Sequence, residues 1–239
     1  MLNRSSANWL VKIAIPMLSV AAGQAADLVS ISAPSEGLNG VTVTLTNNSA
    51  QTVTGVLIRG RAFEGTRRRA EVYHYMDIYT NYGVDKAVPP GESRLVLVFP
   101  KRATQQFRYE VEFGGAIFSD GFTFGPSDGV GVLTGRRQHL RDSLQAHEAA
   151  LRETKGSGRS LALARVNLMA GAIKETAKQR RREDASLFSV ETLVNDWVTK
   201  SLGSEADDCD QNCVNGRFDH ILKGIGLWRS HLATSLPQL

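Results

Sequence analysis

The spacing of apolar residues changes once along this chain of 239 residues, near residue 126. Before that point apolar and polar residues alternate, as in the run from Val41 to Thr46, and a half-buried β-strand requires this period of two. After it, leucines recur at helical spacing on one stripe, beginning with Leu133, Leu140 and Leu144. The chain therefore predicts an α+β fold, with a strand-rich segment at 27–126 followed by a helical region at 130–239.

The strand-rich segment is predicted to form seven short strands. They are Leu28–Ile31, Val41–Thr46, Val53–Phe63, Glu71–Tyr79, Arg94–Phe99, Phe107–Phe113 and Ala116–Phe124. Pro89-Pro90-Gly91 is a turn signal ahead of Arg94–Phe99, and Asp120-Gly121 is a tight-turn signal within the last run, between Phe118 and Phe122. Short strands at this spacing, with no helical period between them, predict an antiparallel β-sandwich.

Several phrases of this segment resemble a recurrent pattern in exported bacterial sandwich domains of unknown function, of immunoglobulin-like or fibronectin-like architecture. The phrases are Leu45-Thr46-Asn47-Asn48-Ser49, Thr52-Val53-Thr54-Gly55-Val56, Pro90-Gly91-Glu92-Ser93 and Ala116-Ile117-Phe118-Ser119-Asp120-Gly121. In those domains the last hairpin similarly runs into a helix, as it does here from Gly129. The resemblance covers about residues 40–145. It implies a fold and an exported location, and it carries no catalytic residues.

The helical region is predicted to hold about four helices. Their expected bounds are Leu133–Lys155, Leu163–Glu183, Ser189–Leu202 and Arg217–Leu236. Gly156-Ser157-Gly158 ends the first helix, so the first two helices are expected to form an antiparallel hairpin with a short loop. The leucine stripe of this hairpin offers a surface for association with a second copy of the chain.

The first 25 residues have the composition of an export signal. Arg4 and Lys12 precede an apolar run of about ten residues, and small residues follow at Gly23 and Ala25. A helix that spans a bilayer needs roughly 20 apolar residues, so the run predicts a cleaved signal peptide at residues 1–25. The protein is then periplasmic or extracellular, with no transmembrane anchor after cleavage. The alternative is a buried apolar N-terminal helix.

The net charge after this cleavage is small. The chain has 28 basic and 24 acidic residues, and removing the leader takes away Arg4 and Lys12 and no acid, so the formal charge falls from +4 to +2. A chain so close to neutral has no general field for nucleic acid, and no nucleic-acid partner is predicted.

The two cysteines, Cys209 and Cys213, are predicted to form a disulfide in an oxidising compartment. Asp208, Asp210 and Asn212 beside them have the spacing of a calcium-binding loop, in which Asp219 would be the last ligand. However, Cys213 stands where such a loop needs glycine. A polar loop closed by the disulfide is favoured over a calcium site, and no cofactor is predicted.

Tyrosines are concentrated at Tyr73, Tyr75, Tyr79 and Tyr82. Tyrosine gives a large contact area at a low entropy cost, so these residues are candidates for a ligand-binding surface for a sugar or a peptide. The alternative is an ordinary strand with one aromatic face in the core.

Catalytic motifs are incomplete or absent in the sequence. His147-Glu148 begins a zinc-protease motif, but Leu151 occupies the position of the second histidine, and no nucleophile elbow or phosphate-binding glycine loop occurs. The favoured function is therefore an exported binding or assembly protein of the bacterial cell envelope, with a protein or envelope component as its partner. A hydrolase with a noncontiguous active site and an envelope structural protein that self-associates through its helical hairpin are the two alternatives.

Overall fold

The computed structural model describes residues 27–37, 40–81, 85–100, 107–179, 185–203 and 209–235. Eight strands precede four helices. The strands are β1 Val29–Ile31, β2 Ser35–Gly37, β3 Gly40–Asn47, β4 Val53–Glu64, β5 Arg67–Asp77, β6 Ser93–Pro100, β7 Arg108–Phe118 and β8 Thr123–Phe124. The helices are α1 Ser127–Thr154, α2 Arg159–Gln179, α3 Ala185–Leu202 and α4 Gln211–Ser235. The mixed α+β class and the four helices are confirmed, whereas the predicted leader lies outside the described residues.

The predicted count of seven strands is wrong, because the described residues form eight. Strand β2 was missed because all three of its residues are exposed, so it has no apolar alternation. Strand β7 runs without a break through Gly114-Gly115, where two strands were predicted. The predicted turn at Asp120-Gly121 is confirmed, and it leads into the separate short strand β8.

The strands form two antiparallel sheets of four strands each. In the first sheet, β3 pairs with β1 and β2 along one edge and with β6 along the other. In the second sheet the order is β5-β4-β7-β8. One hydrophobic cluster takes side chains from both sheets, among them Val43, Leu45 and Val96 from the first and Ile58 and Phe118 from the second.

The helices have a hydrophobic cluster of their own, which includes Leu144 of α1, Val166 of α2, Val194 of α3 and Phe218 of α4. Helix α1 has 28 residues and is therefore about 42 Å long. Its first turns lie on the second sheet, where Leu133 packs against Leu57 and Ile117. One helix therefore contributes to the packing of both the sheets and the helical cluster.

All four helices begin earlier than predicted, at Ser127, Arg159, Ala185 and Gln211 instead of Leu133, Leu163, Ser189 and Arg217. For α1 the reason lies at Gly129, where a Cβ atom would be 1.8 Å from the carbonyl oxygen of Gly114. Only glycine permits so close an approach of helix and strand, and glycine also lowers helix propensity. The predicted loop at Gly156-Ser157-Gly158 is confirmed between α1 and α2.

Candidate functional site

A groove of about 570 Å³ lies between the strands β5 and β6. It is lined by His74, Met76, Asp85, Lys86, Arg94, Leu95, Val96 and Leu97. Strand β5 is at the edge of the second sheet and β6 is at the edge of the first. The groove therefore lies on a side of the molecule where both sheets end.

Strand β6 presents apolar side chains on both of its faces. Val96 and Val98 are buried in the cluster that the two sheets share. Leu95 and Leu97 alternate with them, and they are 68% and 42% exposed. Edge strands of monomeric proteins usually carry charges on the face that meets water, so two exposed leucines at an edge indicate a contact surface.

His74 lies on the β5 side of the groove and is partly buried. Burial lowers the pKa of His74 below its usual value, and the negative charge of Asp85 only partly opposes this effect. The imidazole is therefore uncharged at neutral pH. Together with Met76 it gives this wall of the groove an uncharged surface.

The charged end of the groove is held by hydrogen bonds to the main chain and to the side chain of Asn81. Asp85 Oδ2 accepts from the N–H of Asp77 at 2.8 Å and from Asn81 Nδ2 at 2.7 Å. Arg94 donates to the carbonyl oxygens of Lys86 and Ala87. These contacts hold residues 85–87 against the end of β5 and the start of β6.

Behind this segment, Asp77 forms a buried ion pair with helix α1. Its Oδ2 accepts from Arg137 Nε at 2.8 Å, and both side chains are 0% exposed. Arg137 also donates to Thr54 Oγ1 at 2.9 Å. The second carboxylate oxygen of Asp77 accepts from the N–H groups of Tyr79 and Thr80. The carboxylate of Asp77 thereby connects helix α1, strand β5 and the wall of the groove.

Arg136, next to Arg137, is buried beside the same strand. Its guanidinium lies 4.3 Å from the centre of the Tyr75 ring, a cation–π contact. Burial lowers the pKa of Arg136, while Tyr75 and Asp77 act in the opposite direction.

The predicted tyrosine surface is divided. Tyr73 is 47% exposed and stacks on Tyr75, with ring centres 6.5 Å apart. Tyr75 lies under Arg136, and Tyr79 packs against the helical cluster and under Arg137. Tyr82 lies outside the described residues. Tyr73 and Tyr75 alternate along β5 with His74, so they occupy the face opposite the groove. Their role in binding a ligand stays a prediction.

The predicted disulfide between Cys209 and Cys213 is confirmed, with Cα atoms 5.4 Å apart. Asp210 precedes α4 and its Oδ1 accepts from the N–H of Cys213 at 2.8 Å, as an N-cap residue does.

The other candidate calcium ligands have separate surroundings. Asn212 is in the first turn of α4, and Asp219 binds Lys155 Nζ at 2.6 Å. Asp208 lies outside the described residues, so the calcium site stays a prediction. Within the described ranges, no three His, Cys, Asp or Glu side chains are grouped as metal ligands are.

The histidines of α1 make contacts between helices. His139 binds Glu191 of α3, and the buried His147 contacts the carbonyl oxygen of Ser143 and lies 3.4 Å from Asn195 Oδ1. His74 and Asp77 lie three residues apart on β5 and have separate surroundings. Asp77 is bound to Arg137, whereas His74 lines the groove.

Patterns in the sequence did not single out Arg136, Arg137 or the exposed leucines of β6. A signal for the arginines was available, since they lie three or four residues from both Leu133 and Leu140 and therefore on the buried stripe. The leucines were hidden in an uninterrupted apolar run, which is equally typical of a strand covered on both faces.

Among the described residues, no helix combines the length and the apolar character needed to cross a bilayer. Comparisons with models of protein families, with curated protein sequences and with solved structures find no match to this chain.

Proposed function

We propose that the protein is an exported binding or assembly protein of the bacterial cell envelope, built on a β-sandwich and without a catalytic site. The observation that supports this most is the groove between β5 and β6, with Leu95 and Leu97 exposed at its rim. The shared hydrophobic cluster of the two sheets supports the sandwich. The leader-like first 25 residues support export.

Binding is favoured over hydrolysis because Asp85 and Arg94, two of the charged residues that line the groove, are already engaged. Asp85 accepts two hydrogen bonds, and the guanidinium of Arg94 is bound to two carbonyl oxygens. Hydrolysis by a side-chain nucleophile would need a base within hydrogen-bond reach of that nucleophile. The exposed leucines instead offer the apolar contact that a protein partner requires.

Export is tested by deleting residues 1–25 and following the protein in cell fractions. The intact gene product is expected outside the cytoplasm in a shortened form, and the deletion variant is expected to stay inside. Mass spectrometry of the exported form should show an N-terminus at Ala26. An intact chain of full mass in the cytoplasm would contradict the proposal.

Binding is tested by placing a photo-reactive phenylalanine derivative at Leu97 in cells that make the protein. A crosslinked product of defined mass is expected from this position. Leu227 of α4 is a matched control, because it is a leucine with a similar exposure of 55% in a different part of the fold. Equal crosslinking from both positions, or none from Leu97, would contradict the proposal.

Self-association through the helices is a second candidate. Leu161 and Leu168 of α2 are exposed, and a cavity of about 370 Å³ between α1 and α2 is lined mainly by alanines and by Leu168 and Met169. Sedimentation at increasing concentration would show a dimer that Leu168→Glu dissociates and Leu227→Glu does not. A wild-type monomer at all concentrations would exclude this candidate.

A further inference from the structure

We propose that the free edge of β6 takes up an extended segment of a partner protein as an additional β-strand of the first sheet. This inference rests on the proposed binding function and specifies how the partner is held. An open sheet edge binds peptides in this way because its unpaired main-chain groups match those of another extended chain. The direction of the main-chain groups in β6, the groove beside it and the charges at its end all support this mode.

The side to which the N–H and C=O groups of β6 point follows from the contacts of its neighbour β3. Ser32 N–H donates to the carbonyl oxygen of Thr44, and Thr44 N–H donates to Ser32 Oγ, both at 2.9 Å. The main-chain groups of Thr44 therefore point away from β6. In an antiparallel strand this direction alternates from residue to residue, so Val43 and Leu45 bond towards β6. Asn47, two residues after Leu45, follows the same alternation, because its N–H donates to the carbonyl oxygen of Glu92, the residue that precedes β6.

The partners of Val43 and Leu45 in the register are Val96 and Arg94. The N–H and C=O groups of these two residues bond to β3. Those of Leu95 and Leu97 therefore point to the other side of β6. In the described part of the chain, no strand pairs with that side of β6. The two residues with exposed leucine side chains therefore have N–H and C=O groups that are available to a further strand.

An added strand would also fill the groove. Successive side chains of a strand point to opposite faces, so half of them would lie beside Leu95 and Leu97 on the outer face. The other half would point between the two sheets, towards Met76 and the uncharged His74. The segment therefore needs apolar residues at alternate positions.

Charge favours a different protein over a second copy of this chain. The lining of the groove carries Lys86 and Arg94 against the single carboxylate of Asp85, which already accepts two hydrogen bonds. Among the described residues, neither Lys86 nor Arg94 has an ion-pair partner. Strand β6 itself carries Arg94 and no acidic residue, so a second copy of it would bring no carboxylate to these cations, whereas a segment with an acidic residue near this end would neutralise them.

The test uses a fluorescein-labelled peptide of sequence Asp-Val-Thr-Val-Thr-Val-Asp and the whole exported protein. Fluorescence anisotropy is expected to show saturable binding. A peptide of the same sequence with N-methylated central amides should bind at least about tenfold more weakly, because it cannot donate to the strand. Leu95→Pro removes one outward N–H group and should weaken binding about tenfold. Leu95→Thr keeps that N–H group and serves as the matched control.

Hydrogen exchange provides a second measurement that does not depend on the proline variant folding. The amides of Leu95 and Leu97 should exchange fast in the free protein and slowly with the peptide bound, whereas Val96 should be protected in both states. Unchanged exchange at Leu95 and Leu97 at saturation, or equal affinity for the N-methylated peptide, would overturn the proposal.

Two other outcomes would also overturn strand addition. One is no peptide binding up to about 1 mM; crosslinking from Leu97 would then still support a binding protein with another mode of contact. The other is a concentration-dependent dimer that Leu95→Pro dissociates and Leu227→Glu does not, which would assign the β6 edge to a second copy.

Discussion

Arg137 Nε donates to Asp77 Oδ2 at 2.8 Å, and both side chains are completely buried where helix α1 crosses the second sheet. Gly55 makes room for this pair, because a Cβ atom there would lie 2.8 Å from Arg137 Nη2 and 3.1 Å from Asp77 Oδ2. A buried ion pair gains little net stability over apolar residues, but losing one partner leaves an uncompensated charge. The pair therefore fixes the position at which α1 docks on the sheet, next to the wall of the groove.

Asp77→Ala is expected to lower the free energy of unfolding by about 3–5 kcal/mol, because it leaves Arg137 charged and buried. Urea unfolding followed by circular dichroism measures this loss. The matched control is Glu64→Ala, which removes the exposed partner of Arg69 and should cost about 1 kcal/mol or less. Equal losses from the two variants would show that the buried pair does not hold the helix.

Replacing both partners, as Asp77→Leu with Arg137→Leu, should recover part of that loss, since no unpaired charge remains. Recovery is expected to be incomplete. Asp77 also accepts from the N–H groups of Tyr79 and Thr80, and leucine cannot replace these two hydrogen bonds. A double variant as unstable as Asp77→Ala would contradict this explanation.

Gly129→Ala is expected to destabilise the protein by about 1–3 kcal/mol or more, because the new methyl group would overlap the carbonyl oxygen of Gly114. Gly131 of the same helix has nothing within 4 Å of its missing Cβ atom. Gly131→Ala should therefore stabilise the protein by about 0.5–1 kcal/mol through helix propensity. Thermal unfolding of the two variants measures both effects. If both substitutions changed the stability in the same direction, the close contact of α1 with β7 would be refuted.

Local patterns in the sequence predicted most of the elements. Alternation located β3, a long β-branched run located β4, the Asp120-Gly121 signal located the last hairpin, and Gly156-Ser157-Gly158 located the loop after α1. Strand β2 could not be predicted in this way, because pairing with β3 holds it without any buried side chain. The first turn of α1 was missed because its glycines oppose helix formation, and contact with Gly114 requires one of them.

The groove depends on features that no local pattern contains. Leu95 and Leu97 become a candidate surface only because β6 is at an edge of its sheet, and strand order follows from long-range pairing. The tyrosines were visible in the sequence, but their positions depend on α1, since Arg136 covers Tyr75 and Arg137 covers Tyr79. Composition therefore indicated aromatic residues without showing which of them meet solvent.

Glu148 of α1 should make the stability depend on acid pH. Hydrogen bonds from Arg152 lower the pKa of its carboxyl, and Arg229 of α4 acts in the same direction, while burial partly opposes them. Because the pKa is lower in the folded state, the stabilisation is complete above the unfolded value of 4.5 and is lost as the pH falls through the folded value.

The variant Glu148→Gln should therefore be less stable than the wild type at about pH 7, and the difference should shrink towards about pH 3. Urea midpoints at the two pH values measure it. Glu153→Gln, at an exposed position of the same helix, should show a small difference at both. A difference between Glu148→Gln and the wild type that is equal at both pH values would contradict the assignment.

Reducing the Cys209–Cys213 disulfide should cost on the order of 2 kcal/mol or less, because it closes a loop of only a few residues. The helical structure is expected to persist, since Val214 and Phe218 of α4 stay in the helical cluster and Asp210 still caps the helix. Unfolding with and without dithiothreitol measures the cost. The variant with Cys209→Ser and Cys213→Ser should be as stable as the reduced wild type, and dithiothreitol should not change its stability. Loss of helical signal on reduction under native conditions would instead show that the bridge, and not the packing of α4, holds this end of the helix in place.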